Sequence, residues 1–308
     1  MTSNPFDPAS ISAETATFNA KLAAQLSDAP RPMDVPVDLT RKARAEGKGL
    51  FPPSGPLEGS EWISIKGAEG GPGRVRLSLP DDAPRGVYLQ IHGGGWTYGE
   101  PEQLDGFNQR IARETGLAVA SVKYRMSPEN RWPGCADDCE AAAHWALAEF
   151  DGPMMIGGES AGAHLTAVTA LRLRAKGLIG RVGGLVCNYG VYDMSMTPSM
   201  RNWGDGYLVL STPVVAWFID NLMNGATDPE ASPLYAELAG MPPALFQVGT
   251  MDPLIDDTLF MAARWRAAGN RAELEVVPGG VHAYDCFDLA IARASFARQD
   301  AFLNGLLG

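Results

Sequence analysis

From Glu61 onward, short apolar runs alternate with stretches of helical periodicity, and few folds accept that order. The segments EWISIKG, GRVRLSLP, GVYLQIHGG, GLAVASVKY, MMIGGE, GGLVCNYG, PPALFQVGT and AELEVVPG each predict a strand. Between them, helical patterns fall at about 104–114, 136–149, 161–176 and 256–268, with a last one at 289–307. Strands joined through helices imply βαβ units and a mostly parallel central sheet flanked by helices. The expected class is therefore α/β, with reactive groups at the C-terminal ends of strands.

Two segments depart from the alternation. The first fifty residues suggest helices at 10–26 and 39–47, separated by the proline-rich DAPRPMDVPVD, which no regular element tolerates well. Phe18, Leu22 and Leu26 recur at helical spacing, so this appendage must bury an apolar face. Residues 194–231 carry no strand pattern, only a loop rich in Met, Trp and Gly followed by the helical STPVVAWFIDNLM. The expected organisation is N-terminal cap helices at 1–50 and a catalytic domain at 51–308, with a cap insertion at about 194–231. A cap of short helices over a cleft leads to the expectation that the appendage shapes the pocket beneath it.

Composition excludes several functions. With 36 acidic against 25 basic residues the chain carries a net charge of −11, which disfavours nucleic acid or an anionic membrane surface as partner. The start MTSNPFDPAS lacks a basic and apolar leader, and no apolar run is long enough to span a bilayer, so a cytoplasmic location is expected. Four cysteines, Cys135, Cys139, Cys187 and Cys286, are too few for a disulfide framework and lack the spacing of a metal site. No metal is expected, and no G-x-G-x-x-G fingerprint marks a dinucleotide, so no cofactor is either. The sequence leaves a homo-oligomer open.

The chemistry concentrates in GGESAGAH, Gly157 to His164. Ser160 follows an apolar run and precedes a helical pattern, the strand-to-helix context of a nucleophile elbow. Glycines at 158 and 162 would relieve collisions in so sharp a turn, and the backbone N–H of Ala161 would face a developing oxyanion. A hydroxyl needs a base, and there are four histidines. His144 lies mid-helix, and His164, one turn beyond Ser160, would be held beside the elbow. His92 belongs to the run His92-Gly93-Gly94-Gly95-Trp96. His282, in a glycine-started loop after the strand AELEVV, is the best-placed base. Asp252 follows the strand PPALFQVGT and is the candidate to orient that imidazole, although Asp-Pro also suits a helix start. Asp193, Asp256 and Asp257 are lesser candidates. The glycine run at 93–95 lets several backbone N–H groups converge on one point.

HGGGW at 92–96 with GESAG at 158–162, VKYRMSPENRWPGCADD at 122–138 and SPLYAELAGMPPALFQVGTMDPLIDD at 232–257 together resemble the hormone-sensitive-lipase branch of the α/β-hydrolases, the bacterial family IV esterases. The resemblance implies a serine carboxylesterase with Ser160, Asp252 and His282 as triad. It also implies Gly94, Gly95 and Ala161 as oxyanion donors, His92 and Glu159 as structural support, and a small-molecule ester as substrate. With the small pocket that a short-helix cap leaves, it leads to the expectation that the N-terminal appendage governs the acyl pocket and that short acyl chains, about C2 to C8, are preferred. Glu159 stands where the family commonly has Asp, and Ala283-Tyr284 where it often has Gly-Phe. The run SAGAHL is also similar to arylformamidases of the same fold, so an amidase on the same triad is the alternative. A small-molecule receptor that has lost its triad is a further reading of the fold.

Overall fold

The computed structural model describes residues 4–51, 53–206 and 208–308; Met1 to Ser3 of the expected cap helices and Tyr207 of the insertion lie outside them. In chain order the elements are α1 (Ala13–Leu26), α2 (Val37–Ala45), β1 (Ser60–Ser64), β2 (Arg74–Ser78), β3 (Val87–Ile91), α3 (Asp105–Thr115), β4 (Ala118–Lys123), α4 (Gly134–Glu149) and β5 (Met154–Glu159). They continue with α5 (Ala161–Ala175), β6 (Val182–Asn188), α6 (Pro198–Asn202), α7 (Thr212–Met223), β7 (Ala244–Met251), α8 (Ile255–Ala267), β8 (Ala272–Val281) and α9 (Ala290–Leu307).

One eight-stranded sheet runs in the order β1-β2-β4-β3-β5-β6-β7-β8. β1 and β2 are antiparallel and the strands from β4 to β8 are parallel, as crossover helices require. The fold is an α/β-hydrolase fold. β3 is buried at every position, which is why it reads as an apolar run broken only by Gln90 and not as an alternation. One face packs against α4, α5 and α8 through residues such as Leu89, Ile156, Leu165 and Trp265. The other packs against α3 and α9 through Tyr88, Ile111, Met155 and Phe302.

Several boundaries differ from the sequence expectations for local reasons. α1 starts at Ala13, not at residue 10, because Ser12 caps it, its hydroxyl accepting the Thr15 N–H at 3.1 Å. β6 stops at Asn188, so Asp193 is not at a strand end; its carboxylate accepts from Ser195 and from the Tyr235 hydroxyl. β8 runs through Pro278, Gly279 and Gly280 to Val281, so His282 follows a strand directly and not a glycine loop. As the last strand of the sheet, β8 tolerates the proline's missing N–H. The glycine pair lets it close on β7: a Cβ at Gly249 would lie 1.9 Å from the Gly280 carbonyl oxygen.

The appendage is held at two places. α1 buries Thr15, Asn19, Leu22 and Leu26, and Asn19 donates to the Gly279 carbonyl of β8 at 2.8 Å. On α2, Arg41 donates to the carbonyls of Thr97 (2.9 Å) and Ser127 (2.7 Å) and makes a bidentate pair with Glu129. The first anchor sets the N-terminal segment beside the end of β8, the second beside the glycine run. Among the described residues, no helix is long and apolar enough to cross a membrane.

Candidate active site

Ser160 sits between β5 and α5 with φ +57° and ψ −120°, a backbone region that costs a non-glycine residue about 1–3 kcal/mol. Its N–H donates to the Asn188 carbonyl of β6 at 2.9 Å, and its own carbonyl accepts from Ala163 and His164, so both sides of the turn are fixed. The flanking glycines are required by contact. A Cβ at Gly158 would lie 2.3 Å, and one at Gly162 1.8 Å, from the Ile91 carbonyl oxygen of β3. Gly162→Ala is therefore expected to destabilise the fold by about 3 kcal/mol or more, through forced displacement of two backbones. Gly180→Ala, where nothing lies within 4 Å of the added carbon, serves as the control, with urea midpoints as the readout.

The structure brings the three sequence-predicted residues together. His282 Nδ1 lies 2.8 Å from Asp252 Oδ2, and His282 Nε2 lies 2.9 Å from Ser160 Oγ. A carboxylate only accepts, so Nδ1 carries the proton and Nε2 presents its lone pair to the serine hydroxyl. Asp252 is wholly buried, and its Oδ1 accepts the Leu254 N–H at 2.9 Å. That bond tightens the turn ahead of α8, whose N-cap is Leu254 and not Asp252, so the carboxylate serves the imidazole and does not cap the helix. An imidazole so held can take a hydroxyl proton and return it to a leaving group.

The other histidines sit elsewhere. His164 is fully buried; its Nδ1 accepts from Trp96 Nε1 at 3.2 Å and its Nε2 donates to the Ala231 carbonyl at 3.0 Å. Burial lowers its pKa to about 4. His144 is on the surface within 3.5 Å of Glu140. His92 Nδ1 donates to the Gly93 carbonyl at 2.9 Å, and its ring stacks on Tyr124, whose hydroxyl donates to the His92 carbonyl. Burial lowers the His92 pKa to about 3, so it stays neutral. Asp256 and Asp257 hold the 192–199 loop by accepting backbone N–H groups.

Gly94 and Gly95 adopt φ of +111° and +60°, and a Cβ on either would meet Tyr98 backbone or the Phe218 ring at 2.2 Å. They share with Ala161, Ser160 and His282 the wall of one cavity of about 700 Å³. Glu159 supports the loop from below: its Oε1 accepts the Gly93 N–H at 2.9 Å and its Oε2 accepts from Gln90 at 3.2 Å. Tyr124 and Arg125 act as further braces, Arg125 pairing with Asp138 at 2.9 Å and 3.1 Å.

Burial pushes the Glu159 carboxyl up to about 8, with nearby Asp285 adding to the rise and the Gly93 and Gln90 donors opposing it. The folded chain then holds a proton that the unfolded chain loses near 4.5. Stability contributed by this group falls as pH rises from about 4.5 to about 8, and falls no further above that. Glu159→Gln keeps an acceptor for Gly93 and removes the buried charge. It is expected to retain activity within a few-fold and to flatten this fall, seen as a rising difference in urea midpoint between variant and parent from pH 5 to pH 8.5.

Three residues of the site, Phe51, Tyr189 and Phe218, carried no sequence signal. Tyr189, just past β6, packs edge-on against the His282 ring with centroids 4.9 Å apart, and its hydroxyl donates to Asp285 at 2.5 Å. Phe218 of α7 covers Gly95. These meet the site through the sheet order and the insertion, which chain position does not reveal.

A strained serine after a parallel strand, a relayed imidazole and a buried carboxylate define an α/β-hydrolase. The sequence profile of the alpha/beta hydrolase fold matches residues 88–286. The chain is 31% identical over 223 residues to an ethyl acetate hydrolase of Pseudomonas putida, covering 68% of this chain and 70% of that protein. It is 32% identical over 209 residues to the carboxylic ester hydrolase LipN of Mycobacterium tuberculosis, covering 63% of this chain and 55% of the relative's length. The crystal structure of an esterase from the bacterial hormone-sensitive lipase family superposes with a TM-score of 0.82 at 28% identity, covering 97% of this chain and all of that one. The chain belongs to the α/β-hydrolase family, in its hormone-sensitive-lipase-like branch, and its enzyme class is carboxylic-ester hydrolase.

Proposed function

We propose that the protein is a serine carboxylesterase that hydrolyses short-to-medium acyl esters through an acyl-enzyme on Ser160. The observation that carries the reading is the unbroken relay from Ser160 Oγ through His282 to Asp252, at 2.9 Å and 2.8 Å. Ser160 Oγ attacks the ester carbonyl carbon while His282 Nε2 takes its proton. The Gly94, Gly95 and Ala161 amides hold the oxyanion. As the carbon–oxygen bond to the alcohol breaks, His282 gives the proton to the departing oxygen. Water then attacks the acyl carbon, losing a proton to His282, and His282 returns that proton to Ser160 Oγ as the acyl carbon–oxygen bond breaks, restoring the hydroxyl and releasing the acid. Asp252 holds the imidazole and stabilises its protonated form.

Residues between Gln25 and Phe51 and the insertion carrying α7 both line the cavity, which supports their role as a two-part cap. The Pseudomonas relative, named for ethyl acetate, supports a small acyl group. The acidic balance of the chain supports a small-molecule ester and no polyanion as its partner.

The acyl-enzyme is tested by partition. Acetate esters of several alcohols are hydrolysed in the presence of a fixed concentration of methanol, and the ratio of acetic acid to methyl acetate is measured. A common acyl-enzyme gives one ratio for every leaving group. A ratio that changes with the leaving group means water attacks the ester directly.

A further inference from the structure

The wall of the cavity is continuous from the N-terminal segment to α7. The Arg44 guanidinium of α2 lies over the Phe51 ring and over the Tyr98 ring, 5.7 Å and 5.5 Å from their centroids, and Tyr98 in turn packs on Phe218 with ring centroids 5.8 Å apart. All four residues line the cavity. A cation held over two aromatic faces keeps its charge and a fixed place. Its field reaches the buried groups around Ser160. Burial lowers the His92 pKa and Arg44 adds to the fall, whereas burial raises the Cys286 thiol, in the loop after His282, and Arg44 opposes the rise.

That cation stands in an acidic chain. The net charge is −11, yet the ionisable groups on the cavity wall favour the other sign. Arg31, Arg44 and Lys48 carry positive charge there, Lys48 being paired with the exposed Glu46. Of the two carboxyls on the wall, Glu100 pairs with Lys123, and burial lets Glu159 keep its proton to about 8. A single anionic group inside the cavity meets this local field and not the net charge of the chain. A guanidinium fits a carboxylate in particular, because its planar fork of N–H donors can make two parallel bonds to the two oxygens. We infer that the cavity takes esters carrying a carboxylate remote from the scissile bond, and that Arg44 is the residue that selects them. This deepens the serine-esterase reading and rests on it.

Two ester series at neutral pH test this. Monoethyl esters of dicarboxylic acids of graded length carry the carboxylate on the acyl half, and O-acetyl ω-hydroxy acids of graded length carry it on the alcohol half. Each ester is paired with its ω-carboxamide, which has the same shape without the charge. The readout is the ratio of kcat/KM for carboxylate over carboxamide, on parent, Arg44→Met and Arg44→Lys. Both values come from one enzyme, so the ratio does not depend on the fraction of a variant that folds. A hydrogen bond to a charged group is worth about 10- to 100-fold. The parent is expected to prefer the carboxylate at one or more lengths in at least one series, and Arg44→Met is expected to lower that ratio by about tenfold or more. Arg44→Lys keeps the charge without the fork and is expected to fall between the two, which supplies the comparison if the methionine variant fails to fold.

A parent with no carboxylate preference in either series overturns the assignment. So does a preference that either folded variant retains in full. Failure of the serine mechanism itself is read separately, as parent enzyme that a small phosphonylating reagent does not label at Ser160.

Discussion

Ser160→Ala is expected to lower kcat for ester hydrolysis by about 10³-fold or more, with the fold intact. The loss is large because no other group can form the covalent intermediate; what survives is the rate that the oxyanion amides and binding alone supply to direct attack by water. Stability should barely change. The Ser160 side chain engages His282 Nε2, whereas the turn is fixed by backbone bonds from Ser160 N–H to Asn188 and from Ala163 and His164 to the Ser160 carbonyl. Alanine keeps all of those and pays the same left-handed backbone cost as serine. Activity within tenfold of the parent, in protein with an unchanged urea midpoint, would remove Ser160 from the mechanism.

His282→Ala should be nearly as damaging to kcat, and His164→Ala should be damaging to stability instead. The two rings are both buried and both hydrogen-bonded, yet their partners differ in kind. His282 joins a carboxylate to a reactive hydroxyl, so its loss leaves Ser160 with no base. His164 joins Trp96 to the Ala231 carbonyl. Its removal leaves a buried N–H and a buried carbonyl unpaired, at about 1–3 kcal/mol each, besides a cavity. Kinetics and urea unfolding on both variants separate the two roles. A collapse of kcat for folded His164→Ala with survival for His282→Ala would reverse the assignment of the base.

What could be read in the sequence was what the backbone itself demands. The two glycine motifs were legible because positions 158, 162, 94 and 95 admit no side chain, and β3 and β5 because burial on both faces makes a strand apolar throughout. Asp252 and His282 were legible because each is the first titratable side chain after a strand in the order this fold imposes. The end of β8 was not, since Pro278 and two glycines look like a loop until the close approach to Gly249 is seen. Nor was the buried face of α1, where Thr15 and Asn19 lie beside Leu22 and Leu26: a polar side chain is accepted there because Asn19 bonds to Gly279. Tyr189, Phe51 and Phe218 reach the cavity from three segments far apart in the chain, and no local pattern marks such a meeting.

The central claim is that hydrolysis proceeds through one nucleophile, Ser160, activated by His282. It is tested most directly by titrating the enzyme with a small phosphonylating reagent while following ester hydrolysis, then mapping the adduct by peptide mass spectrometry. The account predicts one adduct per chain, on Ser160, with activity falling in proportion to labelling, and no labelling of Ser160 in the His282→Ala variant on the same timescale. Full activity in protein completely modified at Ser160, or inactivation that tracks an adduct on another residue, would contradict it.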